Sequence, residues 1–178
     1  MKVQFFRTLT LLIFSLGLIL IKARMPAADD WPEFRGATGQ GLATATNVPI
    51  RWSATNNVAW KSAIPGEGWS SPVLANGRIY LTTATTASES GQPSLRALSV
   101  DAESGKILWD VEALQPESGA AAKRHQKNGI ASPTPVIQGD RIFVHFGHMG
   151  TAALDLTGKV IWRQTELKYP PTHGNGGS

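Results

Sequence analysis

Two stretches of this chain repeat one plan, and that repetition limits its fold more than any other feature. Residues Ser132 to Trp162 read as four short strands separated by turn residues and closed by a tryptophan. The same order runs from Ser71-Pro72-Val73 through Asn76-Gly77-Arg78-Ile79-Tyr80 and Leu98 to Gly105-Lys106-Ile107-Leu108-Trp109. Gly105 and Gly158 stand 53 residues apart, and Pro72 and Pro135 stand 63 apart. Such periods exceed those of most solenoids, about 20–35 residues, and suit propeller blades that carry loops. A blade buries its faces only against neighbouring blades, and a closed ring takes about four or more of them. The chain is therefore read as an all-β partial β-propeller of four-stranded antiparallel blades. About two blades are complete and one is partial, as expected of a truncated reading frame.

The boundaries follow the turn chemistry. Residues 29–56 carry Asp29-Asp30-Trp31-Pro32-Glu33-Phe34-Arg35-Gly36 and further glycines. Proline and glycine at that density oppose a helix, which predicts an irregular brace across the domain anchored by Trp31 and Phe34. Residues 57–64 place Val58, Trp60, Ser62 and Ile64 on one face at period two, as in an outer strand whose companions are absent. The first blade spans 70–111. Pro72 opens it, and Asn76-Gly77 is a strong two-residue hairpin signal. A polar loop from Ser88 to Ser94 precedes the strand Leu95 to Val100, and Asp101 to Gly105 makes the last turn. After a linker from Glu112 to Ala131, the second blade spans 132–163. The run-in to a third occupies 173–178.

Charge narrows the partners. The net charge of +4 comes from 17 basic and 13 acidic residues. Lys2, Arg7, Lys22 and Arg24 all lie in the first 28 residues, which hold no acid, so the remainder is balanced. Nothing there indicates nucleic acid. Lys2 and Arg7 precede an uncharged apolar run from Thr8 to Ile21. That run is the length of a signal-peptide core and shorter than the roughly 20 residues that span a bilayer. Residues 1–28 are thus a signal peptide or signal anchor, and membrane contact is expected only through them. The chain is expected to be exported, to the periplasm or cell envelope. It has no cysteine, so disulfides, thiolate metal sites and cysteine nucleophiles are excluded.

At Asp101-Ala102-Glu103-Ser104-Gly105-Lys106-Ile107-Leu108-Trp109 and Ala153-Leu154-Asp155-Leu156-Thr157-Gly158-Lys159-Val160-Ile161-Trp162 the chain resembles a known family. These segments are similar to the tryptophan-docking repeat, Ala-x-Asp-x-x-Thr-Gly-x-x-x-Trp, of pyrroloquinoline-quinone-type (PQQ-like) β-propellers. The first copy has Ser99 and Ser104 where the pattern has Ala and Thr, and the second is one residue shorter between Asp and Thr. With Asp30-Trp31-Pro32-x-Phe34-Arg35-Gly36 and Ala131-Ser132-Pro133-Thr134-Pro135-Val136, the whole resembles exported members of planctomycete-type bacteria. An aspartate and a hydroxyl around a glycine form a tight turn closed by side-chain bonds. A tryptophan four residues past that glycine lies on the outer strand, where its area can weld blade to blade. Trp109 and Trp162 are accordingly assigned to blade docking, with Trp60 equivalent in the partial repeat.

Fold does not give function. The resemblance implies that quinoprotein dehydrogenases hold PQQ near a vicinal disulfide and above a calcium ion bound by carboxylates and an amide. This chain has no cysteine, and its acids fall in turns (Asp101, Asp140, Asp155) or loops (Glu89, Glu117). His145 and His148 make one weak ligand pair; His125 sits in the basic loop Lys123–Lys127 and His173 in a glycine run. No catalytic, cofactor-binding or metal-binding residue is nominated. The expected function is a binding or scaffold module whose partner is a protein or polysaccharide of the cell envelope. The alternative is a PQQ- and calcium-dependent alcohol or sugar dehydrogenase represented by a fragment.

Overall fold

The computed structural model describes residues 30–86, 92–116 and 129–167. The leader, the basic loop with His125, and the 173–178 run-in lie outside them. The described residues form two four-stranded antiparallel sheets, in spatial orders β1-β2-β3-β4 and β5-β6-β7-β8. Each is a meander, so sequence neighbours are sheet neighbours, as a propeller blade requires. The first blade comprises β1 (Val73–Ala75), β2 (Arg78–Thr85), β3 (Ser94–Asp101) and β4 (Ile107–Leu114). The second comprises β5 (Val136–Gln138), β6 (Arg141–His145), β7 (Thr151–Asp155) and β8 (Val160–Gln164).

The turns appear where their chemistry placed them. Asn76 and Gly77 both take positive φ, 52° and 72°, the requirement of a type I′ hairpin. In the second blade only Gly139 does so between β5 and β6, at 60°. Registers repeat as well: Arg78 faces Asp101 as Arg141 faces Asp155, and Ser99 faces Trp109 as Ala153 faces Trp162. Each β3–β4-type ladder carries a bulge at the same place, Ser99/Val100 and Ala153/Leu154. The core is the apolar layer between the blades, with Val73, Tyr80, Leu95, Leu114, Ile142, Val144, Phe146 and Leu154 in one cluster.

Three expectations change. Residues 57–64 join no strand ladder among the described residues. The period-two pattern holds from Trp60 onward, where Trp60, Ser62 and Ile64 are half-buried while Lys61 and Ala63 are exposed, but not at Val58, which is 47% exposed. An outer strand needs a third strand beside it, and none is present among the described residues. The brace is shorter than expected. Trp31 bridges Leu74 with paired backbone bonds of 2.7 and 2.9 Å, Pro32 O accepts from Ile137 N at 2.8 Å, and residues 42–59 are exposed. Phe34 is not an anchor: it is 58% exposed, whereas Trp31 folds over the buried Gly36. Finally, Glu112–Leu114 continue β4 and do not begin a linker.

Candidate functional sites: the inter-blade joint and a rim cleft

The joint is built from one turn and one indole. Asp101 Oδ1 accepts from the Ser104 backbone N–H at 2.8 Å and from its hydroxyl at 2.6 Å. Asp155 does the same for Thr157, at 2.8 and 2.6 Å, and also takes the Lys159 N–H at 3.0 Å. These bonds to the anionic form hold both carboxyls below the ordinary carboxylate range. Each turn ends in a left-handed glycine, Gly105 at φ 71° and Gly158 at φ 91°. Above each glycine lies a tryptophan from the preceding repeat. A Cβ on Gly105 would meet Trp60 Cε3 at 2.4 Å, and one on Gly158 would meet Trp109 Cδ2 at 2.9 Å. The glycine therefore serves both the backbone turn and the close approach of the ring.

Each indole N–H then bonds the carbonyl one residue after the turn aspartate. Trp60 Nε1 donates to Ala102 O at 3.0 Å, and Trp109 Nε1 to Leu156 O at 3.2 Å. Trp109 also packs on Tyr80, with ring centroids 5.9 Å apart, and burial pushes the Tyr80 phenol up. Trp60 and Trp109 thus each have a defined hydrogen-bond partner in the turn of the next repeat. Trp162 has the same strand position, contacts Phe143 at 6.2 Å, and is 43% exposed; no following turn covers it among the described residues.

Several contributors were not singled out from the sequence. Arg163 on β8 donates to Ala113 O at 2.7 Å and Glu112 O at 3.2 Å, a second tie between blades. Arg78 donates to Leu156 O at 3.2 Å beside Trp109. Ser62 donates its hydroxyl to Gly105 O. Arg141 repeats the position of Arg78 yet pairs with Asp140 at 2.6 Å. A signal for Arg78 and Arg141 did exist in their matching places after each hairpin turn.

The blades differ at the opposite end, here called the rim. Strands β2, β3 and β4 have 8 residues each, and β6, β7 and β8 have 5. At about 3.3 Å per residue the first blade stands roughly 10 Å taller there. The extra height is secured by Arg96–Asp110 at 2.6 Å and Ser94 Oγ to Glu112 Oε2 at 2.6 Å. At the step lies a cleft of about 580 Å³ lined by Gly66, Glu67, Thr85, Thr86, Pro93 and Ile130 among others. Beside it Trp69 is 71% exposed and donates its backbone N–H to Ala131 O at 2.9 Å.

Two histidines, His145 and His148, lie among the described residues, and their settings differ. His145 Nδ1 meets Thr151 Oγ1 at 2.8 Å, and burial lowers its pKa; His148 lies in the Gly147–Met149 3₁₀ turn. Among the described residues no group of three or more His, Asp and Glu could hold a metal ion. With no cysteine in the chain, these residues do not supply the disulfide-and-calcium setting that PQQ takes in the quinoproteins it resembles.

Fold and joint together define tryptophan-docked propeller blades of the PQQ-like type. The chain belongs to the PQQ-like repeat family described as outer membrane protein assembly factor BamB, which it matches over residues 36–175. It is also similar to the 1-butanol dehydrogenase (quinone) of Thauera butanivorans, with 31% identity over 137 residues. That match covers 71% of this chain and 20% of the relative, so the chain spans about a fifth of that enzyme's length. Among solved structures it matches a europium-containing methanol dehydrogenase at 21% identity and a TM-score of 0.36, over 52% of this chain and 14% of that one.

Proposed function

We propose that this chain supplies consecutive blades of an exported binding propeller, which holds a protein or polysaccharide of the cell envelope at its rim. The observation that carries this reading is how the acidic side chains are used. Asp101 and Asp155 close the docking turns, and Asp110 and Glu112 secure the tall edge of the first blade. They serve structure, while the step between blades leaves a cleft open to solvent. Loops and strand ends on a rigid scaffold are where such folds place recognition.

One observation favours a second reading. The 31%-identical relative is a quinone-dependent butanol dehydrogenase, so the whole protein can be framed as a PQQ- and calcium-dependent oxidoreductase whose cofactor residues lie elsewhere. A titration separates the two. The full-length protein is mixed with pyrroloquinoline quinone and calcium while absorbance and alcohol-driven dye reduction are followed. The binding reading expects no stoichiometric absorbance change and no dye reduction; either one would overturn it.

A further inference from the structure

In a repeat protein the copies provide their own comparison: what both blades share serves the ring, and what differs serves something else. The run-in to each first strand is such a pair. Counted back from Pro72 and Pro135, which precede the register-matched Val73 and Val136, Gly68-Trp69-Ser70-Ser71 stands against Ala131-Ser132-Pro133-Thr134, so Trp69 has no aromatic counterpart in the second copy. Both Gly68 and Gly129 are places where a Cβ would collide, with Thr82 O at 2.5 Å and Trp69 Cδ1 at 2.4 Å respectively. The second contact matters here. Gly129 lets the edge of the Trp69 indole lie directly on backbone, while the Trp69 backbone N–H donates to Ala131 O and fixes the main chain.

The result is a held indole that is 71% exposed. Blade faces are covered by neighbouring blades in a ring, but the rim ends of inner strands look onto the axis and stay open. Trp69 lies on that run-in, two residues past Glu67, and its backbone partner Ala131 adjoins Ile130. Glu67 and Ile130 both line the rim cleft, together with Thr85 and Thr86.

We propose that Trp69 and this cleft form a subsite for a neutral pyranose ring of an envelope polysaccharide. The flat C–H face of the sugar lies on the indole, and its hydroxyls meet the threonine hydroxyls and the carboxylate of the cleft. This deepens the binding-propeller reading and rests on it. Two alternatives fit less well. A peptide added as a strand needs a vacant sheet edge, and the inner edge of the first blade is already bridged by Trp31 and Glu67. A polycarboxylate quinone would meet Glu67 and no lysine or arginine among the described residues that line the cleft.

The test uses the full chain with cellotetraose as the probe, followed by saturation-transfer NMR and by tryptophan emission. Expected are transfer to the sugar ring protons and a saturable emission change. Trp69→Ala should weaken binding by about tenfold or more, as truncating a central tryptophan anchor does, and Trp69→Phe by less. Because Trp69 is exposed, both variants should melt like the parent. Saturable binding unchanged in Trp69→Ala would overturn the subsite. So would no sugar binding alongside an envelope protein that binds at the rim, which would leave the binding propeller intact. Stoichiometric quinone uptake, displaced by no sugar, would overturn subsite and function together.

Discussion

The two blades share a joint and differ at the rim, and the contrast separates what builds the ring from what it presents. At the joint the copies agree in plan, although the second turn is one residue shorter: an aspartate-closed turn, a left-handed glycine, and an indole from the preceding repeat bonding the carbonyl one residue past the aspartate. At the rim the first blade has 8-residue strands and the second has 5, and the resulting step holds the cleft. Trp162 lies between these cases, since it has the joint's strand position and, among the described residues, no turn of a following repeat over it.

The largest expected effect comes from emptying the occupied joint. Trp109→Ala should cost about 3 kcal/mol of unfolding free energy, at the low end of large core truncations because the ring is only half-buried. Trp162→Ala in the same polypeptide should cost less than about 1 kcal/mol, as for a surface change. Urea melts of the two variants compare them, and equal losses would erase the distinction between a filled and an open joint. Gly158→Ala comes next. It forces a side chain onto φ 91° with Trp109 Cδ2 at 2.9 Å, and should cost about 1–3 kcal/mol. Its emission spectrum should also shift as the indole moves.

Acid should act on the blades differently. His145 has no counterpart in the first blade, where register puts Thr82 at its level. Its folded pKa is lowered by burial, so below the ordinary histidine pKa of about 6.5 the unfolded chain takes a proton that the folded chain resists. Stability should therefore decline as pH falls from that point towards the folded value, and His145→Asn should flatten this limb of a pH–stability curve. Both turn aspartates, by contrast, have lowered pKa values through hydrogen bonds to their charged form, so their contribution persists until pH falls through the carboxylate range. The smallest effect tests that cause directly: Thr157→Ala should raise the Asp155 pKa in an NMR titration and leave Asp101 unchanged.

Most of the joint was legible in the sequence, because its chemistry is local. Asn76-Gly77, Gly105 and Gly158 announce turns, and a tryptophan four residues past each docking glycine marks the outer strand. The rim was not legible. Ser94 read as the end of a polar loop and Glu112 as the start of a linker, yet they lie on β3 and β4, where their side chains bond at 2.6 Å. Strand ends of that kind depend on cross-strand partners, which local propensity does not encode. The same limit explains residues 57–64, whose alternation was visible while their lack of a ladder was not. Trp69 was named in the sequence only as a lead-in to the first blade. Its exposure and its seat on Gly129 required the fold.

The central claim is that Trp109 and Gly158 form one joint that holds the blades together. A double-mutant cycle with Trp109→Ala, Gly158→Ala and the pair tests it through unfolding free energies. A shared joint requires strong non-additivity, because alanine at 158 harms the fold by crowding a ring that the first substitution removes; a coupling of about 1–2 kcal/mol is expected. Strictly additive losses would mean that indole and glycine act independently, and would contradict the joint.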